Sequence, residues 1–137
     1  MSETKQSERG SVAVEFAILL PLFIMFVWGA IEFGMAYYTQ EVLTNASREG
    51  ARAGIVQVSP KLTSTQIQTI VTDYVRNAGV PVASLNTPVV TGAGGLFPTP
   101  LTVTTTYNYT FRIVSMITAG AVPSSITLTA TSVMRNE

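Results

Sequence analysis

Between Val12 and Ile31 the chain runs VAVEFAILLPLFIMFVWGAI, twenty residues in which Glu15 is the only charge. A helix rises about 1.5 Å per residue, so this stretch covers about 30 Å, the hydrocarbon thickness of a bilayer. It is apolar on every side and has no face suited to water. The rest of a 137-residue chain is too small to wrap it completely, as a buried core helix would require. Trp28, Tyr37 and Tyr38 stand toward its far end, as an interfacial aromatic belt would. A secretory signal would have an apolar region of about 7–15 residues closed by small residues, and Ala30-Ile31-Glu32 is a poor match to such a cleavage site. Nor does the helical pattern stop there. Ile31, Phe33, Met35, Ala36, Tyr38, Val42, Leu43, Ala46, Ala51 and Ile55 carry it on, with no proline between Leu22 and Ser59. The pattern predicts one helix from about Ser11 to about Gly54, with a membrane span over about 12–31 and a kink at Pro21, which cannot donate to the Ala17 carbonyl.

Two features of that helix bear on assembly. Ala46, Gly50 and Gly54 recur every four residues, and Ala30 with Gly34 repeats the spacing nearer the membrane. Such stripes let another backbone approach closely. For the outer stripe, packing against the protein's own sheet is the favoured use. The second feature is Glu15, an ionisable group inside an apolar segment, which costs about 2.5–3.5 kcal/mol when central and less near an interface. Either it snorkels to nearby headgroups or it meets a cation from elsewhere. Arg48 and Arg52 share a face near the helix C-terminus, where the dipole favours cations and solvation suffices.

Beyond Ser59-Pro60 the chain turns polar and regular. Thr63-Ser64-Thr65 can cap a short helix carrying Ile67, Ile70, Val71, Tyr74 and Val75 at spacings of three and four, ended by Gly79 and Pro81. Val82 to Val90 reads as a strand broken by Pro88, and TGAGGLFPTP from Thr91 to Pro100 as a loop. Its glycines are no phosphate cradle, since no Lys-Ser/Thr follows and no helix opens there. Leu101, Val103, Thr105, Tyr107, Tyr109 and Phe111 alternate with a row of threonines and Asn108, and Ile126, Leu128, Ala130 and Ser132 repeat the alternation. Ile113 to Val122 joins them as an apolar connection, either a short helix or a membrane-near loop. Two or three antiparallel strands with one wet face need a cover on the other, which the outer half of the long helix and the short helix supply. The expected fold class is therefore α+β: a long N-terminal transmembrane helix as stem, continuing into a small head with a short helix and a two- to three-stranded antiparallel sheet.

Composition narrows the chemistry. There is no Cys, no His and a single Asp, Asp73, so thiolate, imidazole and the common metal-site chemistries are missing. Lys and Arg number 8 against 8 Asp and Glu, without the basic cluster that phosphate neutralisation requires, so no nucleic acid is expected. Ser2 and Lys5 have Ser-x-x-Lys spacing but lie in a short polar stretch with no pocket around them. No catalytic residue, metal, cofactor or small-molecule substrate is expected.

Arg9-Gly10-Ser11-Val12-Ala13-Val14-Glu15-Phe16 resembles the class III prepilin recognition site, in which a Gly precedes the scissile bond and a Glu stands fifth in the mature chain. Gly10, Val14-Glu15-Phe16-Ala17, Leu20-Pro21, Ile31-Glu32-Phe33-Gly34 and Ala46-Ser47-Arg48-Glu49-Gly50-Ala51-Arg52 together resemble the TadE-like family of tight-adherence systems. Ser132-Val133-Met134-Arg135 is similar to the family's ending more weakly. The resemblance implies a cytoplasmic leader at 1–10, cut by a prepilin peptidase between Gly10 and Ser11, a stem at 11–57 and an extracytoplasmic head at 58–137. It also implies the inner membrane as location, and a pilin or pseudopilin role beside other pilin subunits and assembly-platform proteins. Glu15 and Phe16 would serve recognition and assembly, Glu15 by pairing with the N-terminal amine of a neighbouring subunit. The small residues Ala30, Gly34, Ala46, Gly50 and Gly54 would serve helix packing. The alternative is an unprocessed single-pass protein whose head binds the secretion machinery.

Overall fold

The computed structural model describes residues 3–56, 59–117, 121 and 123–136, with the backbone alone for 3–10 and 117. Side chains of the expected leader, and residues 118–120 and 122 of the expected apolar connection, lie outside the described residues. The element order is α1 (Glu3–Ile55), α2 (Ser64–Asn77), a 3-10 turn (Val82–Ser84), β1 (Val89–Thr91), β2 (Pro100–Thr110), α3 (Ile113–Ile117) and β3 (Ser125–Arg135). This is the α+β arrangement with a membrane-capable helix that the pattern implied. α1 begins at Glu3 rather than near Ser11. Glu, Lys, Gln and Arg are good helix formers, so the polar residues before Gly10 extend the helix instead of ending it.

The chain divides into two compact units, Met1–Gly34 with Phe111–Ser124, and Met35–Thr110 with Ser125–Glu137. In the second, β1, β2 and β3 form an antiparallel sheet in that order. β2 and β3 pair along their full length, from Pro100 opposite Arg135 to Thr110 opposite Ser125. The period of two therefore sorts the sheet cleanly. Leu101, Val103, Thr105 and Tyr107 are buried on one face, while Thr104 and Thr131 meet on the other with their hydroxyls 3.1 Å apart. Tyr107 and Tyr109 pack against the core rather than offering themselves to solvent.

Opposite the buried face lie the outer part of α1 and α2. Leu43 and Ala46 of α1, Ile67, Val71 and Val75 of α2, and Leu101 and Val103 of β2 are completely buried. Each large aliphatic side chain so placed stabilises the fold by about 1.5–3 kcal/mol. Buried hydroxyls on α1 are satisfied along the helix itself, Thr39 donating to the Met35 carbonyl and Ser47 to that of Thr44, both at 2.9 Å. Tyr38 and Gln40 reach further, donating to the carbonyls of Ala78 at 2.8 Å and Thr129 at 3.0 Å.

Local signals set the ends of α2. Thr63 and Gln66 form a capping box, each side chain accepting from the other's backbone N–H. At the far end Gly79 takes φ +78°, Gly79 donates to the Arg76 carbonyl and Val80 to that of Val75. That is a Schellman closure, with Val80 and Val75 both buried beneath it. Of the strand expected over Val82–Val90 only Val89 and Val90 are formed, in β1. Leu85 makes a single bridge to Tyr107 after the 3-10 turn, and pairing resumes only at Val89, past Pro88, which has no N–H to give a ladder. Arg76 is paired with Asp73 on the exposed side of α2.

The other unit holds the apolar run. Every side chain from Ser11 to Trp28 is exposed, Phe26 to 75%. The connection after β2 resolves into α3 within the described residues, opened by the Phe111 N–H donating to the Ser124 carbonyl at 2.8 Å.

Candidate functional site

The residues assigned to processing and assembly sit on one uninterrupted stretch of α1. Gly10 is helical in its backbone, and Ser11, Glu15 and Phe16 follow with exposed side chains. One turn separates Ser11 from Glu15, and the Ser11 hydroxyl stands 3.5 Å from a Glu15 carboxylate oxygen, the outer limit of a hydrogen bond. Among the described residues Glu15 has no ion-pair partner. Nothing within this chain's described side chains neutralises it, so its charge is directed outward from a helix bare of protein cover.

The two small-residue stripes have different fates. Ala46 is fully buried, and a Cβ built on Gly50 would lie 2.5 Å from a methyl of Val71. One built on Gly54 would lie 2.5 Å from Leu101 and 2.7 Å from Ile67. These three residues bring α1 against its own α2 and β2. Nearer the membrane, Ala30 is exposed and a Cβ on Gly34 would meet nothing within 4 Å.

One residue with a defined role was not singled out beforehand. Glu32 is 8% exposed, and its carboxylate accepts three backbone N–H groups: Arg112 at 2.7 Å and Ile113 at 2.8 Å on one oxygen, Val114 at 2.8 Å on the other. Those are the donors a helix start leaves without intrahelical partners, and an ionised acceptor binds them more strongly than a neutral one. Beside this clamp the rings of Phe33 and Phe111 lie 5.4 Å apart at 48°. A signal did exist in the sequence, since Glu32 is the one carboxylate placed where the apolar run ends.

Among the described residues no group of three or more His, Cys, Asp or Glu could hold a metal ion. Among the described residues one helix is long and apolar enough to cross a membrane, with a mean hydropathy of 2.3 over its best window and no part of that window buried. The chain thus fits a single-pass membrane protein with a folded α+β unit. Residues 10–52 match the model of the family described as TadE-like protein, about a third of the chain, and the matched segment contains Gly10, Glu15, Glu32 and every residue of the two small-residue stripes except Gly54. That family points to a protein associated with a tight-adherence pilus. No curated protein and no solved structure matches the chain.

Proposed function

We propose that the protein is a pilin-like subunit of a tight-adherence pilus, made as a precursor and cut between Gly10 and Ser11 by a prepilin peptidase. It performs no catalysis. Its work is assembly within the inner membrane, with residues 1–10 cytoplasmic and the α+β unit outside, beside other pilin subunits and the assembly platform. The observation that carries this reading is Glu15, an exposed carboxylate at the head of an apolar helix with no ion-pair partner among the described residues, inside a segment that matches the TadE-like family. Cleavage would leave Ser11 with a free ammonium. In the low dielectric of the bilayer a Glu15–ammonium pair between neighbours gains far more than at a surface, and one left unmade is costly, so it sets axial register.

A second reading keeps residues 1–10 on an uncut membrane anchor; α1, unbroken from Glu3 through Gly10, is compatible with both readings. In the second the α+β unit binds components of the secretion apparatus. Intact mass of the membrane-extracted protein separates the two. Processing predicts a chain starting at Ser11, with Gly10→Ala abolishing the shortening; a wild-type chain that keeps residues 1–10 favours the anchor. For the register role, Glu15→Ala should insert at least as well as the parent while entering pili severalfold less, measured on sheared filaments. Equal incorporation would remove Glu15 from the mechanism.

A further inference from the structure

The clamp at Glu32 raises a question that assembly does not answer. A whole carboxylate is spent on the start of a helix of only five residues, Ile113–Ile117. In water such N–H groups need no side chain, because solvent caps them. Where water is scarce they must be satisfied within the protein. The clamp sits one residue beyond the apolar run, at the end opposite residues 3–10, with Trp28 one turn before it. The segment it holds is built for the same environment. Ile113-Val114-Ser115-Met116-Ile117 carries no charge, Met116 is 76% exposed, and Arg112 stands exposed just ahead of it. Both pieces belong to one compact unit, separate from the one that holds the sheet.

We infer that residues 112–117 form a second membrane contact, lying in the interfacial layer of the leaflet opposite residues 3–10, with Met116 among the upper acyl chains and Arg112 at the lipid phosphates. The occupant of this apolar surface is the bilayer, because buried Glu32 and the Phe33–Phe111 contact hold the segment directly against the end of the exposed apolar helix, where Phe33 itself is exposed. Arg112 suits the headgroup layer, where a cation can keep its charge solvated while neighbouring side chains enter lipid. The Glu32 carboxylate serves as the internal substitute for water at the backbone entering that layer. This rests on the membrane reading of 12–31, and adds to it a fixed depth for the chain's exit from the bilayer.

The absence of cysteine allows single-site labelling of the full chain. Met116→Cys, and independently Ser115→Cys, would carry an environment-sensitive fluorophore in phosphatidylglycerol-containing nanodiscs holding one copy each. Leu22→Cys marks the span and Thr129→Cys the sheet's wet face. The inference expects the 116 and 115 probes to be quenched severalfold more by nitroxides placed high on the acyl chain than by deep ones, and to be shielded from iodide relative to 129. Iodide access at 116 and 115 equal to that at 129, with the Leu22 probe quenched from deep in the bilayer, overturns it while leaving the span intact. A Leu22 probe untouched by lipid nitroxides overturns the membrane reading and this inference with it. Shielding of 116 that arises only with two copies per disc identifies a second subunit as the occupant and also overturns it.

Discussion

Glu15 and Glu32 are two carboxylates seventeen positions apart on one helix, and they do opposite things with their charge. Glu15 stays exposed with only the Ser11 hydroxyl one turn away, whereas Glu32 uses both oxygens on three backbone donors eighty or more residues along the chain. Truncating the second should therefore be felt inside the molecule. Glu32→Ala leaves three N–H groups of the α3 start without their acceptor, a loss of about 1–3 kcal/mol in local stability. Hydrogen exchange at Arg112, Ile113 and Val114 should accelerate about 10- to 100-fold on that account, at 1.4 kcal/mol per tenfold, with little change in α2. Glu32→Gln, which keeps an acceptor oxygen, should fall between. Exchange rates equal to the parent's would mean the clamp contributes nothing.

Along α1 the same small-residue spacing meets two environments. Gly50 and Gly54 let α2 and β2 come within contact of the helix backbone, so a methyl group has no room there. Alanine in a helix interior gains about 0.8–1 kcal/mol over glycine, but overpacking against Val71, Ile67 and Leu101 costs about 1–3 kcal/mol. Gly50→Ala and Gly54→Ala should thus lower the Tm of the detergent-solubilised protein. Gly34→Ala faces open space and should raise it or leave it unchanged, followed by circular dichroism. A rise at Gly54 would show that the neighbours yield. α2 needs less outside help, because its capping box and Schellman closure lie within its own sequence.

For the molecule as a whole, the exposed run 12–31 gives the chain its home. An arginine placed near the middle of it, as in Ile24→Arg, should add about 2.5–3.5 kcal/mol to insertion and move a large share of the protein out of the carbonate-resistant membrane fraction. The same change at exposed Thr129, on the wet face of the sheet, should leave membrane partition untouched. Equal effects at the two positions would argue against a span here.

Hydropathy and periodicity are properties of neighbouring residues, and whatever depends on them could be read directly. The apolar helix, the capped α2 with Val71 and Val75 on its inner face, and the alternating β2 and β3 all follow from spacing alone. So does the oddity of Glu15. Other features depended on which distant groups came together. The strand read over 82–90 shrank to β1 because main-chain pairing requires a partner in register as well as β-forming residues, and Pro88 interrupts the donors. The two glycine stripes, alike in spacing, diverged because only one faces an element of its own fold. By sequence Glu32 is only the charge that follows an apolar stretch. Its three bonds exist because folding returned Arg112, Ile113 and Val114 to it, and no local pattern records a contact made across eighty residues.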